Sequence, residues 1–80
     1  MTLEQDLAAI FRDILDLEPA VDLATVKYRT TVRWDSLAHM ELITAIEERF
    51  DIVIDTVDIV RINSFPTAVA IIGGKYGAAA

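Results

Sequence analysis

No cysteine occurs anywhere in this chain of 80 residues, and that absence narrows the ways it can fold. No disulfide can staple it, and no thiolate can anchor a metal. A chain of this length makes one domain at most, expected over residues 1–80 with an ordered core over 2–76. Such a domain buries a modest core and has little stability to spare. A compact packing of a few regular elements is the route left open. The hydrophobic fraction of 54% and the charged fraction of 25% are those of a globular chain, not a disordered one.

The apolar spacing says which elements these are. Leu3, Leu7, Ile10, Phe11, Ile14 and Leu15 recur at the helical period and predict a helix over 2–17. Thr2 followed by Gln5 fits a capping box, Glu4 and Asp6 suit the positive end of the dipole, and Pro19 marks the exit. Residues 18–34 have no sustained period. Val21, Leu23, Val26, Tyr28 and Val32 are available to pin this long loop to the core, and a short helical turn fits near 22–26. The alternation from Val26 to Val32 would suit a strand, but no second strand offers itself as a partner.

A second helix is expected over 36–50, capped by Asp35, with Leu42, Ile43, Ile46 and Phe50 on its core face. Residues 51–55 connect it to a short third helix over 56–61, held by Val57 and by Val60 or Ile59. Ser64 can cap a last helix with Pro66 in its first turn. Val69, Ile71 and Ile72 would face inward, Gly73 and Gly74 would end or fray that helix, and Tyr76 can fold back. The terminal Gly77-Ala78-Ala79-Ala80 should be loose. The fold class is all-α: a small antiparallel bundle of three main helices plus one short helix, with a long first loop.

The formal net charge is −6. Nucleic-acid binding is disfavoured, because it relies on Lys and Arg to neutralise phosphates. The acidity suits partners with basic patches, although solubility alone would account for it. The longest apolar runs are only a few residues, too short for membrane insertion. The acidic N-terminus lacks a basic-then-apolar signal pattern, so a cytoplasmic location is expected.

Little in the chain is equipped for catalysis. Ser36 opens the second helix, where a serine is ordinarily just a cap. His39 lies three residues along the same helix, with no third group to orient it and no oxyanion site, and reads as a packing or surface residue. Glu47 and Glu48 are adjacent and point different ways, a poor acid–base pair. No metal-ligand cluster and no phosphate-cradling glycine loop appears. Neither a catalytic nor a metal-binding residue is therefore expected. The second helix does carry a second apolar face: Leu37, Met40 and Thr44, with Glu41, Glu47 and Glu48 nearby. An apolar centre with an acidic rim fits a docking surface. The same pattern would arise if Leu37 and Met40 packed under the long first loop.

The segment Asp35-Ser36-Leu37-Ala38-His39-Met40-Glu41-Leu42-Ile43, followed by Ala45-Ile46-Glu47-Glu48-Arg49-Phe50, resembles the acyl carrier proteins of fatty-acid and polyketide synthesis. The resemblance continues through Asp51-Ile52-Val53-Ile54-Asp55 and Ile62-Asn63-Ser64-Phe65-Pro66-Thr67-Ala68, and includes the leading amphipathic helix. An Asp-Ser-Leu triplet alone is common. Its position, mid-chain and opening a helix that closes on Glu47-Glu48-Arg49-Phe50, makes it specific.

The resemblance implies that Ser36 accepts a covalent 4′-phosphopantetheine arm from coenzyme A through a phosphopantetheinyl transferase, with Asp35 helping to position Ser36. It implies that Leu37, Met40, Glu41, Thr44, Glu47 and Glu48 form the face read by that transferase and by acyl-loading and acyl-processing enzymes. The chain would be a monomeric carrier rather than an enzyme, holding acyl groups as thioesters on a thiol that its own residues lack. A phosphodiester at a helix N-terminus suits the free N–H groups and the dipole there.

Some positions depart from the fatty-acid carriers. Trp34 stands where many have a small residue, Thr44 where they often have a larger apolar one, and Lys27, Arg29 and Arg33 add positive charge to a loop that is usually acidic. The form Trp34-Asp35-Ser36-Leu37-Ala38-His39 looks more like free-standing carriers of specialised metabolism. An aminoacyl or peptidyl carrier would share the arm and the helices. An unmodified helical interaction domain would share every core feature.

Overall fold

The computed structural model describes residues 2–31 and 33–77. Met1, Val32 and the terminal residues 78–80 lie outside that range. Among the described residues four helices follow one another: α1 (Leu3–Ile14), α2 (Ser36–Phe50), α3 (Thr56–Arg61) and α4 (Phe65–Gly74). A 3₁₀ turn, Leu23–Thr25, interrupts the long loop between α1 and α2. Among the described residues no β-strand forms; the Val26–Val32 segment contributes only an isolated bridge between Lys27 and Ser64.

The α1 capping box forms as its sequence suggests. Gln5 N–H donates to Thr2 Oγ1 at 3.1 Å, and Thr2 N–H donates to Gln5 Oε1 at 3.0 Å. The helix stops at Ile14, short of the expected residue 17, because Asp16 turns left-handed at φ 53°. Asp16 N–H then reaches Asp13 O and Leu17 N–H reaches Arg12 O, the bond pattern of a Schellman ending. Asp51, at φ 54°, ends α2 in a similar way, with Ile52 N–H donating to Glu47 O. Aspartate fills both positions usually given to glycine, as a short polar side chain can.

Two tertiary contacts give the directions of α1 and α2. Arg49, late in α2, donates to Asp6, early in α1, at 2.8 Å, while Phe11 lies edge-on to Trp34 at 5.3 Å. Two more relate α1 and α4: Phe11 meets Phe65 edge-on at 5.2 Å, and Gly73 approaches Leu3. Both α2 and α4 therefore run antiparallel to α1. A Cβ at Gly73 would sit 2.7 Å from Leu3 Cδ2, so a larger residue there would displace the end of that side chain. α4 ends at Gly74, the second of the two glycines expected to stop it.

The core gathers Leu7, Phe11 and Leu15 of the first segment with Leu42, Ile43 and Ile46 of α2 and Phe65, Ala68 and Ile72 of α4. Leu23, Val26 and Trp34 pin the long loop, and Ile54 and Ile62 bracket α3. Several expected core positions lie at its margin. Phe50 is only half-buried, as are Val69 and Ile71, and the Arg49 guanidinium lies 5.6 Å from the Phe50 ring centre.

α3 departs further from the expected packing. Val57 and Val60 are 60% and 75% exposed, whereas Asp58 is buried. Ile59 is the half-buried residue of that trio. Asp58 is drawn in because the end of α4 supplies its partners. Lys75 Nζ approaches Asp58 Oδ2 at 2.6 Å, and the Tyr76 hydroxyl donates to the same oxygen at 2.6 Å. Tyr76 also accepts from Asp55 N–H at 2.8 Å, and Lys75 pairs with Asp55 at 3.0 Å. The Lys75 bond, then the Tyr76 bond, holds the Asp58 carboxyl below its ordinary value. Bonds to Asp58 and then Asp55 push Lys75 up, and burial followed by the Asp58 bond pushes Tyr76 up. The tail of α4 thus folds back and clamps α3.

Candidate functional site

The entry to α2 is built outward from a buried tryptophan. Trp34 is fully buried, with Phe11 on one side and Tyr28 edge-on at 6.0 Å. Its indole N–H donates to His39 Nδ1 at 3.0 Å. An indole nitrogen can only donate, so Nδ1 must carry a lone pair and the proton sits on Nε2. Nε2–H then donates to the Ile59 carbonyl at 2.7 Å. Both ring nitrogens of His39 are committed, which leaves neither free to act as a base on Ser36. The histidine is a packing residue that ties the loop and α2 to α3.

Anchoring Trp34 fixes where α2 begins. Asp35 follows in extended conformation as the N-cap, and its Oδ1 accepts from Ala38 N–H at 2.9 Å. Ser36 is the first helical residue and is exposed. Helix geometry leaves the N–H groups of Ser36 and Leu37 without an intrahelical acceptor, facing outward at the positive end of the dipole. An anionic group on Ser36 would meet both.

Ser36 Oγ lies 3.1 Å from the Tyr28 hydroxyl. Among the described residues no histidine or carboxylate completes a nucleophile–base pair with it, and no group of three or more His, Asp or Glu side chains gathers to hold a metal. The chain's other serine, Ser64, is half-buried. Its Oγ accepts from Thr67 N–H at 3.2 Å and donates to Thr67 Oγ1 at 2.8 Å. Of the two serines, only Ser36 presents its hydroxyl on an exposed residue.

The second face of α2 is open. Leu37 is 72% exposed and Met40 50% exposed, so neither is packed under the long first loop. Leu37, Met40, Glu41, Thr44 and Glu48 line one shallow groove, joined by Ile14 and Ala45. Glu47 stands apart from them. It is half-buried, and its Oε2 accepts from Ile54 N–H at 2.8 Å, so it holds the connector after α2. Arg33 pairs with exposed Asp16 at 3.2 Å, a local balance of charge beside the Schellman turn.

The sequence places Asp35 and Ser36 at the start of α2 and names five of the seven groove residues. It did not assign Trp34, His39 and Tyr28 to one aromatic cluster behind the serine. Trp34 had a visible signal: it is the chain's one tryptophan, and so large a ring beside a helix start needs a buried seat. Ile14 and Ala45 had none, because each follows from how α1 lies on α2.

Comparison with known proteins adds one match. A family model described as phosphopantetheine attachment site matches residues 5–72, which includes all four helix cores and the α2 entry. No curated protein and no solved structure matches the chain significantly.

Proposed function

The chain belongs to the phosphopantetheine attachment-site family, and from that premise we propose that Ser36 is the residue that carries its arm. Members of the family hold 4′-phosphopantetheine covalently on a serine, work with a phosphopantetheinyl transferase and biosynthetic enzymes, and are carriers rather than catalysts. The observation that carries the assignment is the contrast between the two serines: exposed Ser36 at the start of α2, and Ser64 spent on the α4 cap.

The residues around Ser36 fit such a group. Asp35 caps the helix and so sets the direction of the serine. The outward N–H groups of Ser36 and Leu37 favour a phosphodiester. When bound, the arm supplies the thiol absent from this cysteine-free chain and holds cargo as a thioester.

Leu37, Met40, Glu41, Thr44 and Glu48 are the face offered to the transferase and the loading and processing enzymes. Its exposed apolar centre and acidic rim support that reading. The cargo is an acyl group of a fatty-acid-like, polyketide-like or other specialised synthesis, on the strength of the resemblance around Asp35-Ser36-Leu37. An aminoacyl or peptidyl cargo would use the same serine, and the group recovered from the thiol separates the two. Residues 1–80 act as one carrier domain, monomeric and cytoplasmic. Among the described residues no helix is long and apolar enough to cross a membrane.

The test is direct. The purified protein is incubated with coenzyme A and a permissive transferase, and its intact mass is measured. One added arm is expected, and none in Ser36→Ala. A folded wild-type protein that gains no mass with several transferases would overturn the assignment.

A further inference from the structure

The Tyr28 hydroxyl is the polar group that touches the proposed attachment oxygen, at 3.1 Å, from eight residues back along the chain. Its position is held from several sides. Tyr28 N–H donates to Asn63 O at 2.9 Å, in the link between α3 and α4. The ring lies 4.9 Å from His39, tilted by 41°, and meets Trp34 edge-on. Arg29, the next residue, turns left-handed at φ 70° and donates to Trp34 O at 3.0 Å, which closes the loop between the tyrosine and the α2 cap. Nothing about the packing of a half-buried ring requires a hydroxyl at its tip. The oxygen's partner is Ser36.

Resting on the reading of Ser36 as the attachment serine, we propose that Tyr28 is a positioning residue for that attachment. Its phenol holds the serine hydroxyl in one orientation beforehand and donates a hydrogen bond to the phosphodiester afterwards.

The chemistry gives the bond a direction. Either oxygen can donate while Ser36 is free. Attachment forms a bond from Ser36 Oγ to the pantetheine-bearing phosphorus of coenzyme A and breaks that phosphorus–oxygen bond to the departing 3′,5′-bisphosphoadenosine. The serine proton passes to a base of the transferase. Ser36 Oγ then has no proton, and the phenol is the donor that remains. Its acceptor is now part of an anion, and hydrogen bonds to charged acceptors are the stronger kind. An interaction that tightens as charge reaches the phosphoryl oxygens favours the transition state over the free serine.

Wild type, Tyr28→Phe and Ser36→Ala are compared with coenzyme A and excess transferase, in single-turnover reactions followed by intact mass. Phenylalanine keeps the ring, so circular dichroism and the thermal midpoint should match wild type. The Tyr28→Phe reaction should be slower by about 3- to 10-fold at saturating transferase, the loss expected for one hydrogen bond, with the half-saturating transferase concentration unchanged. The phosphorus-31 resonance of the loaded Tyr28→Phe protein should move from the wild-type position toward that of the unfolded loaded chain. Without any variant, the Tyr28 Cζ resonance of wild type should shift on attachment. A rate within about twofold of wild type, or an unmoved phosphorus resonance, overturns the proposal. Failure of wild type itself to gain the arm is a different result: it removes the premise about Ser36, and is seen before any tyrosine is changed.

Discussion

Replacing Trp34 with phenylalanine should cost far more than its conservative look suggests. Trp34 has no exposed surface, and its indole N–H satisfies buried His39 Nδ1. Trp34→Phe leaves that nitrogen without a donor, which costs about 1–3 kcal/mol. The smaller ring also leaves a void of roughly three heavy atoms, for about 1–2 kcal/mol more. A chain of this size has about 4–12 kcal/mol in total, so the variant should be visibly weakened. His39→Leu should cost a similar amount, because it strands the indole N–H and the Ile59 carbonyl together. The double variant removes both members of the indole–imidazole pair. It should therefore be more stable than the two single losses imply, by about 1–2 kcal/mol. Urea unfolding followed by far-ultraviolet circular dichroism measures each term, with equal slopes as the check that two-state behaviour holds. Losses that add within about 0.5 kcal/mol would refute the claim that the two rings are bonded.

Two neighbouring glutamates should separate cleanly. Glu47→Ala should cost about 1–2 kcal/mol through the lost Ile54 bond, whereas Glu48→Lys should change stability by less than about 0.5 kcal/mol yet slow transferase-dependent attachment by reversing charge in the groove; urea unfolding and intact-mass kinetics report the two effects. The Asp58 clamp should be acid-sensitive. The folded chain keeps Asp58 below its unfolded value of 3.8, so its contribution is complete above that value and is lost as pH falls through the lower folded one. The stability gap between wild type and Asp58→Asn should thus stay level above about pH 5 and shrink below about pH 4; a gap that does not change over that range would refute the role of the carboxylate.

How much of this was legible depends on how local each cause is. Ser36–Phe50 could be read directly, because the Asp35 cap, the apolar period and the helix are one continuous stretch of chain. The Asp35 cap and the exposed Ser36 that follows it were legible for the same reason. The end of α1 was not, since Asp16 carries no glycine-like mark of a left-handed turn. A helix as short as Thr56–Arg61 offers too few positions to show which side is buried. Asp58 goes inside because Lys75 and Tyr76, well down the chain, come back to meet it. Glu47 and Glu48 look alike in sequence, and only the path of the chain to Ile54 tells them apart. The Tyr28–Ser36 contact depends on the left-handed turn at Arg29 and on the seat of Trp34, which Phe11 of α1 and His39 of α2 form from outside that stretch of chain.

The seat of Trp34 also makes the protein its own optical probe. The chain has one tryptophan, held dry two residues before Ser36 and bonded to an imidazole. Its emission comes from that one place, with no second indole to dilute it. Any event that loosens the start of α2 lets water or a free imidazole reach the excited ring, and shifts or quenches the signal. If docking or the proposed attachment at Ser36 loosens the start of α2, the event would be followed in real time on the unlabelled chain.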